Sequence, residues 1–167
     1  KILSNIYYKT SFAITYIDYI LITHKGIFIL KIKKLGNVDI SGSIKGKNWS
    51  VAKPHAKRYD TPIVKRYEIN NPIIEKNRDL KTIKMLLGMK ENVYSLVIYP
   101  NKVVFNKTIS KNVIIEEKFH HFYLSKSGNQ LTSIKIKKYY DILNNSRIRG
   151  LFIGIKYYLF LKFRKSS

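Results

Sequence analysis

The sequence predicts an α/β fold, and three stretches predict it. From Tyr16 to Lys34 (YIDYILITHKGIFILKIKK) the chain reads as two strands joined by a tight turn. Beyond Asn70 and Asn71, Ile73, Ile74, Leu80, Ile83, Leu86 and Leu87 recur at three- and four-residue spacings, which puts one apolar stripe on a helix. Val93 to Tyr99 then runs apolar as a buried strand and is stopped by Pro100. Paired strands, a helix and a returning strand make a sheet with a covered face.

The elements follow in order. Ile2 to Tyr8 carries apolar and aromatic residues and enters the sheet as a first strand, with Lys9-Thr10-Ser11 as the polar connection. Next, Ile17, Tyr19, Leu21 and Thr23 alternate with Asp18, Ile20, Ile22 and His24, leaving apolar side chains on both faces of a buried strand. His24-Lys25-Gly26 is a turn in which Gly26 supplies the positive φ a hairpin needs. The partner strand ends in Lys31-Ile32-Lys33. Gly36-Asn37 signals a turn; Val38, Ile40 and Ile44 mark a strand interrupted by Gly42 and Gly46. From Lys45 to Tyr67 the chain is polar and basic, punctuated by Trp49, Pro54, His55 and Pro62. It has too few apolar residues for a core of its own and reads as an excursion over the sheet edge.

Asn70 or Asn71 caps the helix, Pro72 takes its first position and Gly88 ends it. Val103 to Phe105 and Val113 to Ile115 are short strands, and Leu131 to Leu143 forms a helix with Leu131, Ile134, Tyr139 and Ile142 inward. These elements make one domain over residues 1–145, and residues 146–167 form a basic, apolar tail. Its apolar run, Leu151 to Phe163, contains Lys156 and Lys162 and is shorter than the roughly 20 residues of a membrane-spanning helix. Apolar odd positions against Lys156, Lys162 and Arg164 favour a late strand; an interfacial membrane anchor is the second reading.

The charge is the compositional anomaly. The 167 residues hold 45% hydrophobic residues, enough for a packed core, and an ordinary 25% charged residues. Yet 32 Lys and Arg face 10 Asp and Glu, a net charge of +22. Such a surface attracts polyanions, chiefly nucleic acid or anionic lipid. Tyr59 and Tyr67 among Lys53, Lys57, Arg58, Lys65 and Arg66 make a basic, aromatic surface suited to a single strand. The absence of cysteine excludes disulfides and thiolate metal sites and fits a reducing cytoplasm, with membrane association through the tail as the alternative. His24 sits in a turn, and His120-His121, placed on a strand, face opposite sides; none of them reads as a metal ligand. No Gly-rich phosphate loop, Ser-His-Asp order or zinc spacing is present.

An acid on one interior strand and a strand ending in x-x-Lys beside it is the layout of a metal-dependent nuclease core. The chain resembles the nuclease-related (NERD) domain of the PD-(D/E)xK nuclease superfamily. The resemblance rests on Ile17-Asp18, on Gly26-Ile27-Phe28-Ile29-Leu30, and on Gly36, Ile40, Gly42 and Trp49 in order. It continues through Tyr67, Asn71-Pro72, Glu75 and Asn77 to Ser95-Leu96-Val97-Ile98-Tyr99. It implies a restriction-endonuclease-like core, a central mixed sheet flanked by helices, with the family's first helix missing from an N-terminally incomplete chain.

The resemblance also implies a site. Asp18 would hold Mg²⁺, which takes oxygen ligands and activates water, and Lys33 would steady the developing negative charge. Lys31 stands where the family has Glu, and Glu75 where it has Gln. Positions 31 and 33 share one face of a strand, so two ammonium groups meet a single carboxylate and the metal site is weakened. Glu75 restores a second metal ligand if it reaches Asp18; otherwise it pairs with Lys31 or supports the first turn of its helix. Three functions follow: a Mg²⁺-dependent DNA nuclease, an inert nucleic-acid-binding or scaffold module, and a membrane-surface module.

Overall fold

The computed structural model describes residues 1–10, 14–58, 61–88, 92–106, 110–127 and 130–148. Three antiparallel strands open the chain: β1 (Ile2–Lys9), β2 (Ile14–Thr23) and β3 (Gly26–Ile32). Gly26 turns the chain between the last two with φ 129°. A Cβ there would lie 2.6 Å from the Asn92 carbonyl oxygen, so the close approach requires glycine.

After β4 (Val38–Ser41), β5 (Asn48–Arg58) and β6 (Thr61–Asn70) comes the helix α1 (Pro72–Leu87). Its cap forms as the sequence predicts: the Asn71 side chain accepts a hydrogen bond from Ile73 N, and Gly88 closes the helix in the left-handed region. Then follow β7 (Val93–Tyr99), β8 (Val103–Phe105), β9 (Val113–Ile115), α2 (Lys118–Leu124) and α3 (Ser133–Ser146).

The strands form two mixed sheets, ordered β1-β2-β3-β7-β9 and β6-β5-β4-β8. β7 runs parallel to β3, as a strand returning through a helix must. One face of the first sheet buries Ile20, Ile22, Ile27 and Ile29 with Ile83 of α1 and with Ile136 and Leu143 of α3. The other face carries Phe28, Leu96 and Ile98, packed by Phe119, Phe122 and Tyr123 of α2. The architecture is the α/β, restriction-endonuclease-like arrangement expected.

Several elements differ from the sequence reading. The basic stretch after Lys45 is no excursion: β5 and β6 form a long hairpin that builds the second sheet on β4. Few apolar side chains suffice because Trp49 and Val51 borrow their core from Val38, Ile40, Ile73, Val97 and Tyr99. Ile44 lies outside β4 and is exposed. The α1 stripe omits Ile74, which is exposed. On α3 the buried positions are Ile136 and Leu143, whereas Ile134 points to solvent at 81% exposure. His120 and His121 are on the short helix α2 and not on a strand, and both are exposed. No helix among the described residues is long and apolar enough to cross a membrane. The tail, residues 150–165, lies outside the described residues.

Candidate functional site

The site forms where β2 parts from β3. Along β2 the inward residues are Ile22 and Ile20, then Ile17, so the two-residue alternation slips at Asp18–Tyr19. The slip is matched on β1, where Asn5 takes φ 52° between Ser4, opposite Tyr19, and Ile6, opposite Ile17. An Asn tolerates that left-handed backbone better than most residues. As a result the Asp18 carboxylate accepts a hydrogen bond from Ile32 N through Oδ2, at 2.9 Å. The first predicted acid is thus fixed to the end of the neighbouring strand.

Lys31 and Lys33 leave β3 and its end on the face covered by α1, as strand alternation predicts. Glu75 and Asp79 meet them from α1, one helical turn apart on the same side. Lys31 Nζ lies 3.3 Å from Asp79 Oδ2 and 3.7 Å from Glu75 Oε2, and Lys33 Nζ lies 3.1 Å from Glu75 Oε2. The Asp79 side chain is only 2% exposed, and its Oδ1 has no hydrogen-bond partner among the described residues. Tyr99 is buried nearby with its hydroxyl likewise unpartnered, and burial, followed by the charge of Glu75, pushes that phenol well above its ordinary range.

The two partners of the inner ion pair respond to different balances. Burial pushes the Asp79 carboxyl up to about 6, and the Lys31 charge only partly offsets this. For Lys31, burial is the largest single influence and lowers its pKa, but Asp79, Glu75 and Asp18 together outweigh it and hold the ammonium charged. Asp79 therefore changes protonation near pH 6, well above the ordinary carboxylate range.

Its effect on stability follows. Between the ordinary carboxylate value and about 6 the folded chain holds the Asp79 proton that the unfolded chain has lost. The stabilisation from this group is full at the acid side and is lost as the pH rises through about 6. The urea midpoint should accordingly gain more on going from pH 7 to pH 5 in the unaltered protein than in Asp79→Asn. Equal gains in the two proteins would place the titration elsewhere.

The arrangement brings together Lys31, Lys33 and Glu75, with Asp18 close enough for its charge to act on Lys31. Glu75 reaches the two lysines, so the simple ion-pair alternative is what the geometry displays. Sequence reasoning missed Asp79, although its place four residues after Glu75 on a helix was a usable signal. A divalent cation needs several oxygens at about 2.0–2.6 Å. Here an ammonium already sits between the two α1 carboxylates, and no group of three or more His, Cys, Asp or Glu among the described residues is placed to hold a metal. The donor set as arranged fits Lys31 and does not fit Mg²⁺.

The basic residues lie apart, on the β5–β6 hairpin. Lys53, Lys65 and Arg66 are exposed; the side chains of Lys57 and Arg58, like Tyr59, are outside the described part. Tyr67 packs against the second core, which leaves it little surface for stacking. Trp49 is fully buried and donates to the Ser43 carbonyl, a packing role. His24 ties the β2–β3 turn to Leu131: its Nδ1 lies 2.8 Å from the Leu131 carbonyl oxygen, and Leu131 N donates to the His24 carbonyl at 2.7 Å.

Comparison with known proteins places this geometry. No curated protein and no solved structure gives a significant match. The family model described as nuclease-related domain, NERD, matches residues 1–100, more than half of the chain. That span runs from β1 through β7 and contains all five residues of the Asp18, Lys31, Lys33, Glu75 and Asp79 cluster. The chain belongs to the nuclease-related domain family, within the PD-(D/E)xK superfamily.

Proposed function

We propose that this chain is a nuclease-related domain that binds nucleic acid through its basic surface without metal-dependent cleavage. One observation carries the reading: Lys31 Nζ occupies the space between Asp79 and Glu75, at 3.3 and 3.7 Å. A cation entering there must displace an ammonium held by both carboxylates, with the Lys33 ammonium 3.1 Å from Glu75 as a second repulsive charge. Asp18 is the remaining acid, and one of its oxygens is committed to Ile32 N. The net charge of +22 supports binding to a polyanion independently of the state of this site.

The test compares DNA binding and cleavage in Mg²⁺ and Mn²⁺ by the protein, by Asp18→Ala and by Lys31→Glu. The expected result is salt-sensitive binding by all three, with cleavage by neither the unaltered protein nor Asp18→Ala. A gain of metal-dependent cleavage in Lys31→Glu would identify the ammonium as the block. Cleavage by the unaltered protein that disappears in Asp18→Ala would overturn the reading and make Asp18 and Glu75 working metal ligands.

A further inference from the structure

The β5–β6 hairpin changes character partway along its length. β4 pairs with β5 only at Ser50, Val51 and Ala52. Among the described residues, β5 beyond them has β6 as its sole neighbour, and β6 is the edge of its sheet. From Lys53 to Arg58 the hairpin is therefore a two-stranded ribbon, about 20 Å long at the usual rise per residue.

Side chains change at the same point. On the core-facing side the cross-strand pairs are Trp49 with Ile69, Val51 with Tyr67, and then Lys53 with Lys65. The first two pairs join the apolar core; the third sets two exposed ammonium groups opposite each other. Like charges directly opposite in a ladder are destabilising, and a two-stranded ribbon is already marginal in water. Neither lysine has a carboxylate within ion-pair distance among the described residues. The other side adds Arg66, opposite Ala52. Over residues 53–66 the sequence contributes Lys53, Lys57, Arg58, Lys65 and Arg66 against the single acid Asp60.

The ribbon is also a poor template for a further protein strand. Pro54 on β5 and Pro62 on β6 lack the N–H groups that strand addition would use. What remains is a polyanion that accepts a ribbon from its end. The major groove of duplex DNA, about 12 Å wide, admits a two-stranded ribbon and flanks it with phosphates on both sides.

We propose that the free half of the β5–β6 ribbon enters the major groove of double-stranded DNA, with Lys53 and Lys65 each neutralising a phosphate. This rests on the nucleic-acid-binding reading above and gives it a form, a face and a pair of residues. The Lys53–Lys65 repulsion is then relieved on binding, so the ribbon is stiffer in the complex than in the free protein.

The experiment measures binding of the full chain to a duplex and to its separate strands over a series of salt concentrations. Dimethyl sulfate, which methylates guanine N7 in the major groove, footprints the bound duplex. The protein should prefer the duplex and protect guanine N7. The Lys53→Ala/Lys65→Ala protein should lose that protection, and its log–log salt slope should fall by about 2. A Lys135→Ala/Lys138→Ala control on the exposed face of α3 should keep the protection, and Trp49 emission verifies that each variant is folded. Duplex binding with N7 left reactive, or a preference for single strands, would overturn the groove proposal while leaving nucleic-acid binding intact. No binding to either form would sink both.

Discussion

Lys31→Ala should lower the free energy of unfolding by about 3–5 kcal/mol, the cost of leaving a buried charge without its partner. The loss comes from the carboxylates that remain. Asp79 is almost fully buried and already has one oxygen without a partner among the described residues. Without Lys31 it faces Glu75 on the same side of α1, two like charges in a poorly solvated space. The Asp79 carboxyl should then titrate above its present value of about 6, and the loss of stability should be steepest at alkaline pH. Urea unfolding at pH 5 and pH 8 tests this. Adding Asp79→Asn to Lys31→Ala should recover much of the loss, because the uncompensated charge goes with it. A Lys31→Ala protein as stable as the parent at both pH values would show that the ion pair contributes nothing beyond its own desolvation.

Trp49→Ala should cost a comparable amount, about 3–5 kcal/mol, typical of an aromatic side chain deleted from a core. Trp49 is fully buried among Val38, Ile40, Val51 and Ile73, and its ring rests against Gly42, where a Cβ would overlap the indole. Its Nε1–H also donates to the Ser43 carbonyl at 3.0 Å, which helps Asn71 to hold the loop before β5. Thermal unfolding followed by circular dichroism gives the size of the loss. The variant should also weaken DNA binding, because Trp49 anchors the base of the ribbon. The pH dependence set by Asp79 should survive, since its ion pair is with Lys31 of β3, which is not in the Trp49 cluster. Loss of both properties together would show that the two sheets do not keep separate accounts of stability.

Much of this was legible in the chain, for reasons that differ by element. The strand pair and α1 were readable because their signals are local: alternation around Ile20 and Ile27, a cap at Asn71 and a left-handed glycine at 88. The second sheet was not. Trp49, Val51, Tyr67 and Ile69 are too few to announce a core, and what they pack against comes from residues far along the chain. At the site, Asp18, Lys31, Lys33 and Glu75 were singled out by the positions they take in the motif of the nuclease-related family. Asp79 was missed although it stands four residues after Glu75 on α1, because its burial is set by β3 and the fold around it. The inward face of α3 was misjudged for a related reason. Its apolar residues do not form one clean stripe, and the choice of Ile136 and Leu143 over Ile134 depends on where the helix meets the first sheet.

The first strand is completed by some of the last described residues. Ile148 N donates to the Tyr7 carbonyl at 2.8 Å, Tyr8 bridges to Arg147, and the Tyr8 hydroxyl donates to the Leu143 carbonyl at 3.1 Å. The hydrogen bond between Tyr8 and Leu143 spans 135 positions of sequence. Contacts of that range are slow to form, because loop closure must be paid for before they give anything back. β1 is made before the other elements of this fold and meets its partner at Tyr7 and Tyr8 only when residues 147 and 148 have been added. In that interval the edge is open to wrong pairing, and the kink at Asn5 interrupts the flat run of backbone that another strand would need.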